Sequence, residues 1–335
     1  MTRALVTGGA GFIGSHLVER LLADGHTVTV LDDYSSGGPR NLAHLVPHPR
    51  LTVHQQDVAD EAAVAPFFRG VDWVFHLAAL ADIVPSIQHP LRYHHANVDG
   101  TISVLEASRA AGVKRVVYTA SSSCYGIPDV VPTPEEAPIR PMYPYALTKY
   151  LGEEYARHWA KVYKLPCVSL RLFNVYGPRA RTSGAYGAVF GVFLAQKLSG
   201  KPFTVVGDGS QTRDFTFVTD VVEAFLRAAA SDVAGEALNV GSGDTYPIMS
   251  LVERLGGGTI VHLPKRPGEP DCTFADITKI RRLLGWNPRV TFDEGVRRML
   301  EHLDEWKEAP VWTPESIAQA TREWFQYLTP ERAAS

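Results

Sequence analysis

Residues 4–14 read ALVTGGAGFIG, a short apolar run that ends on glycines and passes straight into FIGSHLVERLLADG. There Ile13, Leu17, Leu21 and Leu22 recur at helical spacing. Gly8, Gly11 and Gly14 fit GxxGxxG, while Gly9, Gly11 and Gly14 fit GxGxxG, so spacing alone leaves the alignment of the turn open. The physical requirement is the same in both. Glycines allow a tight strand-to-helix turn and let the backbone N–H groups that open the helix, around Phe12 and Ile13, approach a pyrophosphate. A strand before and a helix after are the context in which such glycines read as a dinucleotide site. Asp32 stands eighteen residues past Gly14, at the end of the next apolar run. An acid there suits the adenosine ribose hydroxyls of NAD rather than the 2′-phosphate of NADP.

Outward from that turn, strand-like and helix-like stretches alternate. ALVT (4–7), TVTVL (27–31), LTVHQ (51–55), DWVFHLA (72–78), KRVVYTA (114–120) and CVSLRL (167–172) are Val/Leu-rich and lack clean in/out alternation. Such strands, separated by helices, predict a parallel sheet covered on both faces, a doubly wound Rossmann α/β domain over residues 1–172. Residues 173–335 read mainly as a smaller α/β substrate-binding lobe, with 218–241 expected to return to the first. Helices are expected near 188–199, 248–254 and 292–306, and a terminal helix begins at Thr313-Pro314. Small or polar residues close other strands, Asp57-Val58 after the third and Leu77-Ala78-Ala79 after the fourth. In an open parallel sheet ligands bind outside these carboxyl ends, where alanines let a flat cofactor lie against backbone.

Of the 335 residues, 45% are hydrophobic and 21% charged, with a formal net charge of −3. That balance gives bulk charge no role in nucleic-acid or membrane binding. Three cysteines, Cys124, Cys167 and Cys272, are too few for a disulfide framework or a metal site and read as free thiols in a reducing cytoplasm. No apolar stretch approaches the roughly 20 residues of a membrane span.

YPYALTKYLGEE (143–154) places Tyr145 and Lys149 four apart, on one helix face. An ammonium beside a phenol favours phenolate, and moving a tyrosine from a pKa of about 10 towards 7 needs roughly 4 kcal/mol. The strand ending at residue 120 runs into TASSSCYG (119–126), three consecutive serines.

Together these features resemble the extended, nucleotide-sugar-modifying branch of the short-chain dehydrogenase/reductase superfamily. The matching stretches are TGGAGFIG, HLAA, the serine cluster, Tyr145-xxx-Lys149, LRLFNVYGP, GDGSQTRDF and RPGEPDCTFAD, between residues 5 and 276. The resemblance implies NAD held by Gly8, Gly11, Phe12, Ile13, Gly14, Asp32, Asp57, Val58, Leu77, Ala78, Ala79, Tyr145 and Lys149. It implies a catalytic group of Ser121, Tyr145 and Lys149, and a nucleoside-diphosphate sugar, most simply a UDP-sugar, as substrate. Arg213 and Arg266 carry guanidinium forks suited to the pyrophosphate. Glu269 suits a ribose, and Asn174 a phosphate or sugar. Ser121, Ser122, Tyr145, Val189 and Thr273 would line the sugar. Without the resemblance the arginines would read as solvated surface residues. Family members commonly form homodimers through two helices, here those near 92–111 and 144–163.

Within this branch the residue four before the tyrosine of the YG turn is the catalytic Ser or Thr, which gives Ser121, counting back from Tyr125. Sugar 4,6-dehydratases carry Asp-Glu at the next two positions, and decarboxylases usually a glutamate at the second. Here Ser122 and Ser123 stand there. Hydroxyls near neutral pH do not shuttle protons as a carboxylate does. The expectation is therefore C4 epimerisation through a transient 4-keto sugar, similar to the UDP-glucose and UDP-N-acetylglucosamine 4-epimerases. Alternatives are a UDP-uronate 4-epimerase, a decarboxylase or dehydratase, or a non-catalytic dinucleotide-sensing module. Thr273, three before Asp276, is small enough to leave room for an N-acetyl group, and SGAYGAV (183–189) is also similar to the N-acetylhexosamine epimerases.

Overall fold

Six of the apolar runs become parallel strands of one sheet: β1 (Arg3–Thr7), β2 (Thr27–Asp32), β3 (Leu51–Gln55), β4 (Trp73–His76), β5 (Arg115–Ser121) and β6 (Cys167–Leu172). The computed structural model describes residues 1–180 and 188–329. A seventh strand, Ala237–Val240, lies parallel beside β6, and the order runs Ala237–Val240, β6, β5, β4, β1, β2, β3. Side chains alternate between two buried layers rather than between core and water. Ala4 and Val6 of β1 enter one hydrophobic cluster with Leu17, Leu21, Val221 and Phe225 of the helices Phe12–Ala23 and Val218–Ala230. Leu5 between them enters another with Val104 and Ala156 of the helices Gly100–Ala110 and Pro144–Tyr163. Both faces are covered, so the strands read as continuous apolar runs.

Strand order reverses on either side of β1, between β2 and β4, and this switch opens the crevice in which doubly wound folds bind ligands. The glycine turn sits at its mouth. Gly8 has φ +69°, and a Cβ there would lie 2.6 Å from the backbone nitrogen of Ala78. A Cβ on Gly14 would lie 2.2 Å from the Gly8 carbonyl oxygen. Gly9 instead faces the side chains of Val30 and Val18 in the core. Gly11 opens the helix Phe12–Ala23.

Beyond β6 the chain builds around an aromatic cluster. Tyr176 stacks on Phe190 at 4.4 Å, and Phe215 stacks on Phe292 at 5.1 Å. The helices Val189–Leu198, Ile248–Arg254 and Phe292–Glu301 and the parallel strands Phe203–Val206 and Ile260–Leu263 enclose it. The tail differs from expectation. It forms two short helices, Pro314–Ala320 and Arg322–Leu328, not one. Thr313 and Ser316 form a capping box at the start. The two helices meet at Thr321, whose N–H and hydroxyl both donate to the Ile317 carbonyl, at 2.9 and 2.8 Å. Cys124 and Cys167 are buried and Cys272 half-buried, all as free thiols. Among the described residues no helix is long and apolar enough to cross a membrane. Residues 183–187 of SGAYGAV lie outside the described residues.

Gly8→Ala is expected to destabilise the fold by more than the roughly 1–2 kcal/mol that a left-handed backbone costs an L-residue, because its methyl also meets Ala78. Gly25, at φ +88°, has nothing closer to an added Cβ than 4.0 Å. Gly25→Ala should therefore cost the backbone strain alone. Urea unfolding of both variants checks this; equal midpoints would remove the close approach from the account.

Candidate active site

The three serines that end β5 make a turn of their own. Ser121 caps the turn Ser122–Tyr125, its hydroxyl accepting the Ser123 N–H at 3.2 Å and lying 2.8 Å from the Ser123 hydroxyl. This leaves Ser121 at the strand tip, above the switch crevice. Opposite, Pro144 opens the long helix Pro144–Tyr163 and puts Tyr145 in its first turn. The Tyr145 hydroxyl donates to Ser121 Oγ at 3.4 Å. Lys149, one turn on and 4% exposed, holds its ammonium 4.4 Å over the Tyr118 ring.

The charges behave differently from the simple lysine-beside-phenol picture. Burial pushes Lys149 down to about 7, and the Glu153 carboxylate opposes it. Burial also raises Tyr145 above the ordinary phenol value, the Ser121 hydrogen bond pulls it back, and Asp82 and Cys124 add to the rise. The physical reason is desolvation. The enclosure that brings the pair together disfavours the charged form of both.

A cleft of about 700 Å³ runs from this point in two directions. Gly8, Gly11, Phe12, Ile13, Gly14, Leu77 and Ala79 line one end, and it continues into a smaller cavity of about 80 Å³ bounded by Asp32, Asp57, Val58 and Ala78. Both oxygens of Asp32 are fixed by backbone donors, Ala10 N–H and Tyr34 N–H, each at 2.8 Å. This carboxylate, with Asp33 beside it on the same small cavity, suits ribose hydroxyls and would repel an added phosphate. The cradle at Gly8 and Gly14, which any Cβ would fill, completes a fit to NAD.

Ser121, Ser122, Asn174, Val189, Arg213, Arg266, Glu269 and Thr273 line the rest of the main cleft. Arg213 and Arg266 converge on Glu269, at 2.7 and 3.7 Å. The Thr273 hydroxyl donates to Asn174 Oδ1 at 2.8 Å. Two guanidinium groups around one carboxylate leave net positive charge, suited to a diphosphate. Ser123, read from the sequence only as the absence of a carboxylate, lines it too, as do three residues that carry no expectation from the sequence: Asp82, Tyr143 and Trp324. The Tyr143 ring lies parallel to Tyr145, 8° apart in plane with centroids at 6.3 Å, and its phenol hydrogen-bonds Ser123. Tyr143 was within reach of the sequence, being two residues from Tyr145. Trp324, in the tail, was not. Among the described residues no cluster of His, Cys, Asp or Glu could hold a metal.

A family model described as the NAD dependent epimerase/dehydratase family matches residues 4–241. The chain belongs to this family. It is 40% identical over 308 residues to the UDP-glucose 4-epimerase of Mycolicibacterium smegmatis, covering 89% of this chain and 97% of that one. Among solved structures it resembles a UDP-N-acetylglucosamine 4-epimerase from Methanobrevibacter ruminantium in complex with UDP-N-acetylmuramic acid, at TM-score 0.86 and 34% identity over 91% of this chain and 98% of that one. A UDP-glucose 4-epimerase from Thermotoga maritima with UDP-glucose gives TM-score 0.85 and 34% identity, over 91% and 99%. The family member described here is thus an NAD-dependent enzyme of nucleotide-sugar type.

The buried ammonium gives a prediction with a definite sign. Lys149 has a folded pKa near 7 and an unfolded value of about 10.4, so between those values the unfolded chain binds the extra proton and stability rises with pH. The melting temperature of ligand-free wild type, measured against Lys149→Met, should gain from pH 7 to pH ~10. At pH 7 or below Lys149→Met should melt no lower than wild type, while its turnover falls by ~100-fold or more. A difference between the two that is flat with pH would overturn the desolvated lysine.

Proposed function

We propose that this enzyme epimerises C4 of a nucleoside-diphosphate sugar of the UDP-glucose or UDP-N-acetylglucosamine type, through a transient 4-keto intermediate. The observation that carries the reading is the Tyr145 hydroxyl at 3.4 Å from Ser121 Oγ, where the dinucleotide end of the cleft meets the arginine-lined end. Bound along the glycine turn, NAD supplies a reversible hydride acceptor and is regenerated in each turnover. Tyr145 takes the proton of the sugar C4 hydroxyl and returns it. Ser121 hydrogen-bonds the reacting oxygen and relays its proton, and Lys149 fixes the ribose beside the tyrosine. Gly8, Gly11, Phe12, Ile13 and Gly14 receive the cofactor diphosphate, Asp32 its ribose, and Asp57, Val58, Leu77, Ala78 and Ala79 its adenine-side walls. Arg213 and Arg266 hold the substrate diphosphate, Glu269 a ribose, and Asn174, Ser122, Val189 and Thr273 the sugar side. In this division of labour residues 1–172 with 218–241 carry NAD, and the remainder carries the nucleotide sugar. We place the enzyme in the cytoplasm as a homodimer paired through Pro144–Tyr163 and the helical run from Pro90 to Ala110, where Leu91, Leu147 and Val162 are exposed.

One observation favours a second reading. Asp82 lines the cleft close enough to Tyr145 to raise its pKa. A carboxylate there is a candidate proton shuttle for a dehydratase or decarboxylase acting on the same 4-keto sugar, although Ser122 and Ser123 stand where those enzymes carry theirs.

Purified enzyme incubated with UDP-glucose and UDP-N-acetylglucosamine should yield a C4 epimer of unchanged mass. Loss of water or carbon dioxide by mass spectrometry would select the second reading, and turnover of no nucleotide sugar would leave a dinucleotide-sensing module. Tyr145→Phe and Ser121→Ala should each lower kcat by ~100-fold or more, and Ser122→Ala far less. Full turnover by Tyr145→Phe would remove the assigned base.

A further inference from the structure

The tail of the chain reaches the cleft. Trp324, on the helix Arg322–Leu328, is 5% exposed and lines the same cavity as Tyr145 and Lys149. Its indole N–H donates to the Pro267 carbonyl at 2.7 Å. The Arg266 guanidinium lies 5.4 Å from the centre of its ring. On the other side its ring centroid is 6.3 Å from that of Tyr143, which in turn stacks on Tyr145. A continuous line of contacts therefore runs from the catalytic phenol through Tyr143 and Trp324 to an arginine of the diphosphate end.

We propose that Trp324 and Tyr143 form an aromatic wall of the hexose pocket, and that Trp324 determines affinity for the sugar part of the substrate. The proposal rests on the nucleotide-sugar reading above. A hexose whose C4 reaches Tyr145 while its anomeric phosphate reaches Arg213 and Arg266 passes along the part of the cleft where Tyr143 contacts Tyr145 and Trp324 contacts Arg266. The wall has a chemistry suited to that ring. The only hydrogen-bond donor of the indole is taken by Pro267, so Trp324 offers the sugar an apolar face and no directional grip. Such a face accepts the C–H side of a pyranose in more than one orientation, whereas a fixed donor would favour one. A 4-keto sugar that turns over in place needs that tolerance.

The anchoring of the tail fits a part that serves the site. Ile317 is the one buried side chain of the helix Pro314–Ala320, and Trp324 the one buried side chain of Arg322–Leu328. The last helix packs against Ile83–Gln88, whose Ile83 and Val84 also line the cleft. Upstream, Pro310 and Trp312 line it too, and Gln196 holds the Trp312 carbonyl at 2.8 Å. The segment from Ala309 onward is thus fastened to the cleft at several points.

Calorimetric titration of the NAD-loaded enzyme with UDP and with UDP-glucose separates the wall from its alternatives. Trp324→Ala should weaken UDP-glucose by ~10-fold or more while changing UDP by less than about threefold, and Trp324→Phe should recover most of the loss. Tyr327→Ala, on the same helix at a residue 63% exposed, should change neither. Equal weakening of both ligands by Trp324→Ala would place the residue's effect on Arg266 or on folding and overturn the wall, as would no weakening of either. If Trp324→Ala does not fold, Trp324→Phe and Trp324→Leu decide: a leucine as good as phenylalanine for UDP-glucose would overturn an aromatic requirement. Failure of the nucleotide-sugar reading looks different, because wild type itself would then bind UDP-glucose no better than UDP.

Discussion

Glu153 and Arg171 form an ion pair at 1% and 3% exposure, and the geometry of the helix Pro144–Tyr163 depends on it. The two meet twice, at 2.8 and 2.5 Å. Removing two charges from water costs more than their attraction returns unless the remaining donors and acceptors are also used. Here they are. Arg171 donates further to the Tyr125 hydroxyl at 2.7 Å and to the Glu135 carbonyl at 2.9 Å. Tyr125 donates to Asn239 at 2.7 Å, and Asn239 donates to the Thr133 carbonyl at 2.9 Å. One network thus joins the helix Pro144–Tyr163, the turn after β5, β6, the strand Ala237–Val240 and the loop at residues 133–135. Tyr145, Lys149 and Glu153 lie at successive fourth positions of that helix, so fixing Glu153 fixes the stripe on which the phenol and the ammonium stand.

The same stripe explains why Lys149 keeps charge at all. The Tyr118 ring face lies 4.4 Å from the ammonium, the buried His76 imidazole is close enough for Lys149 to hold its pKa down, and the Glu153 carboxylate opposes the loss of water. Without Glu153 the desolvation of the ammonium would go unopposed. Arg171 fixes Glu153 in place, so the arginine acts on Lys149 through the carboxylate between them. Among the described residues Tyr145 receives no comparable help from charges: burial and Asp82 raise it, and the hydrogen bond with Ser121 is its main relief.

The central sheet was legible because its signals are local. A strand buried on both faces is a Val/Leu run wherever it sits, and a left-handed turn against backbone needs glycine, so β1–β6 and the turn after β1 stand close to where the sequence places them. Tyr145 and Lys149 were legible for a similar reason, four residues apart on one helix. Trp324 was not, because what makes it part of the cleft is Pro267, Tyr143 and Arg266, all more than fifty residues away. Asn239 and Glu135 are comparable cases, meaningful only once the strand Ala237–Val240 lies beside β6. The break in the tail falls at Thr321, whose N–H and hydroxyl both bond the Ile317 carbonyl, and composition does not mark it.

Ser122 and Ser123 place the strongest limit on the chemistry, and the structure changes how they do so. As sequence they matter by lacking a carboxylate. In the fold Ser123 has a positive role. It bonds Ser121 at 2.8 Å and meets the phenol of Tyr143, so it orients the hydroxyl that faces Tyr145 and ties the aromatic wall to it. A carboxylate at 123 would place a negative charge beside two buried phenols, both already held in the neutral form by desolvation, and would raise them further. An enzyme that uses an acid at that position must then offset its charge by other means. This chain keeps neutral hydroxyls there, and in the function proposed above Tyr145 and Ser121 carry the proton, which suits a reaction that removes and restores hydrogen at a single carbon.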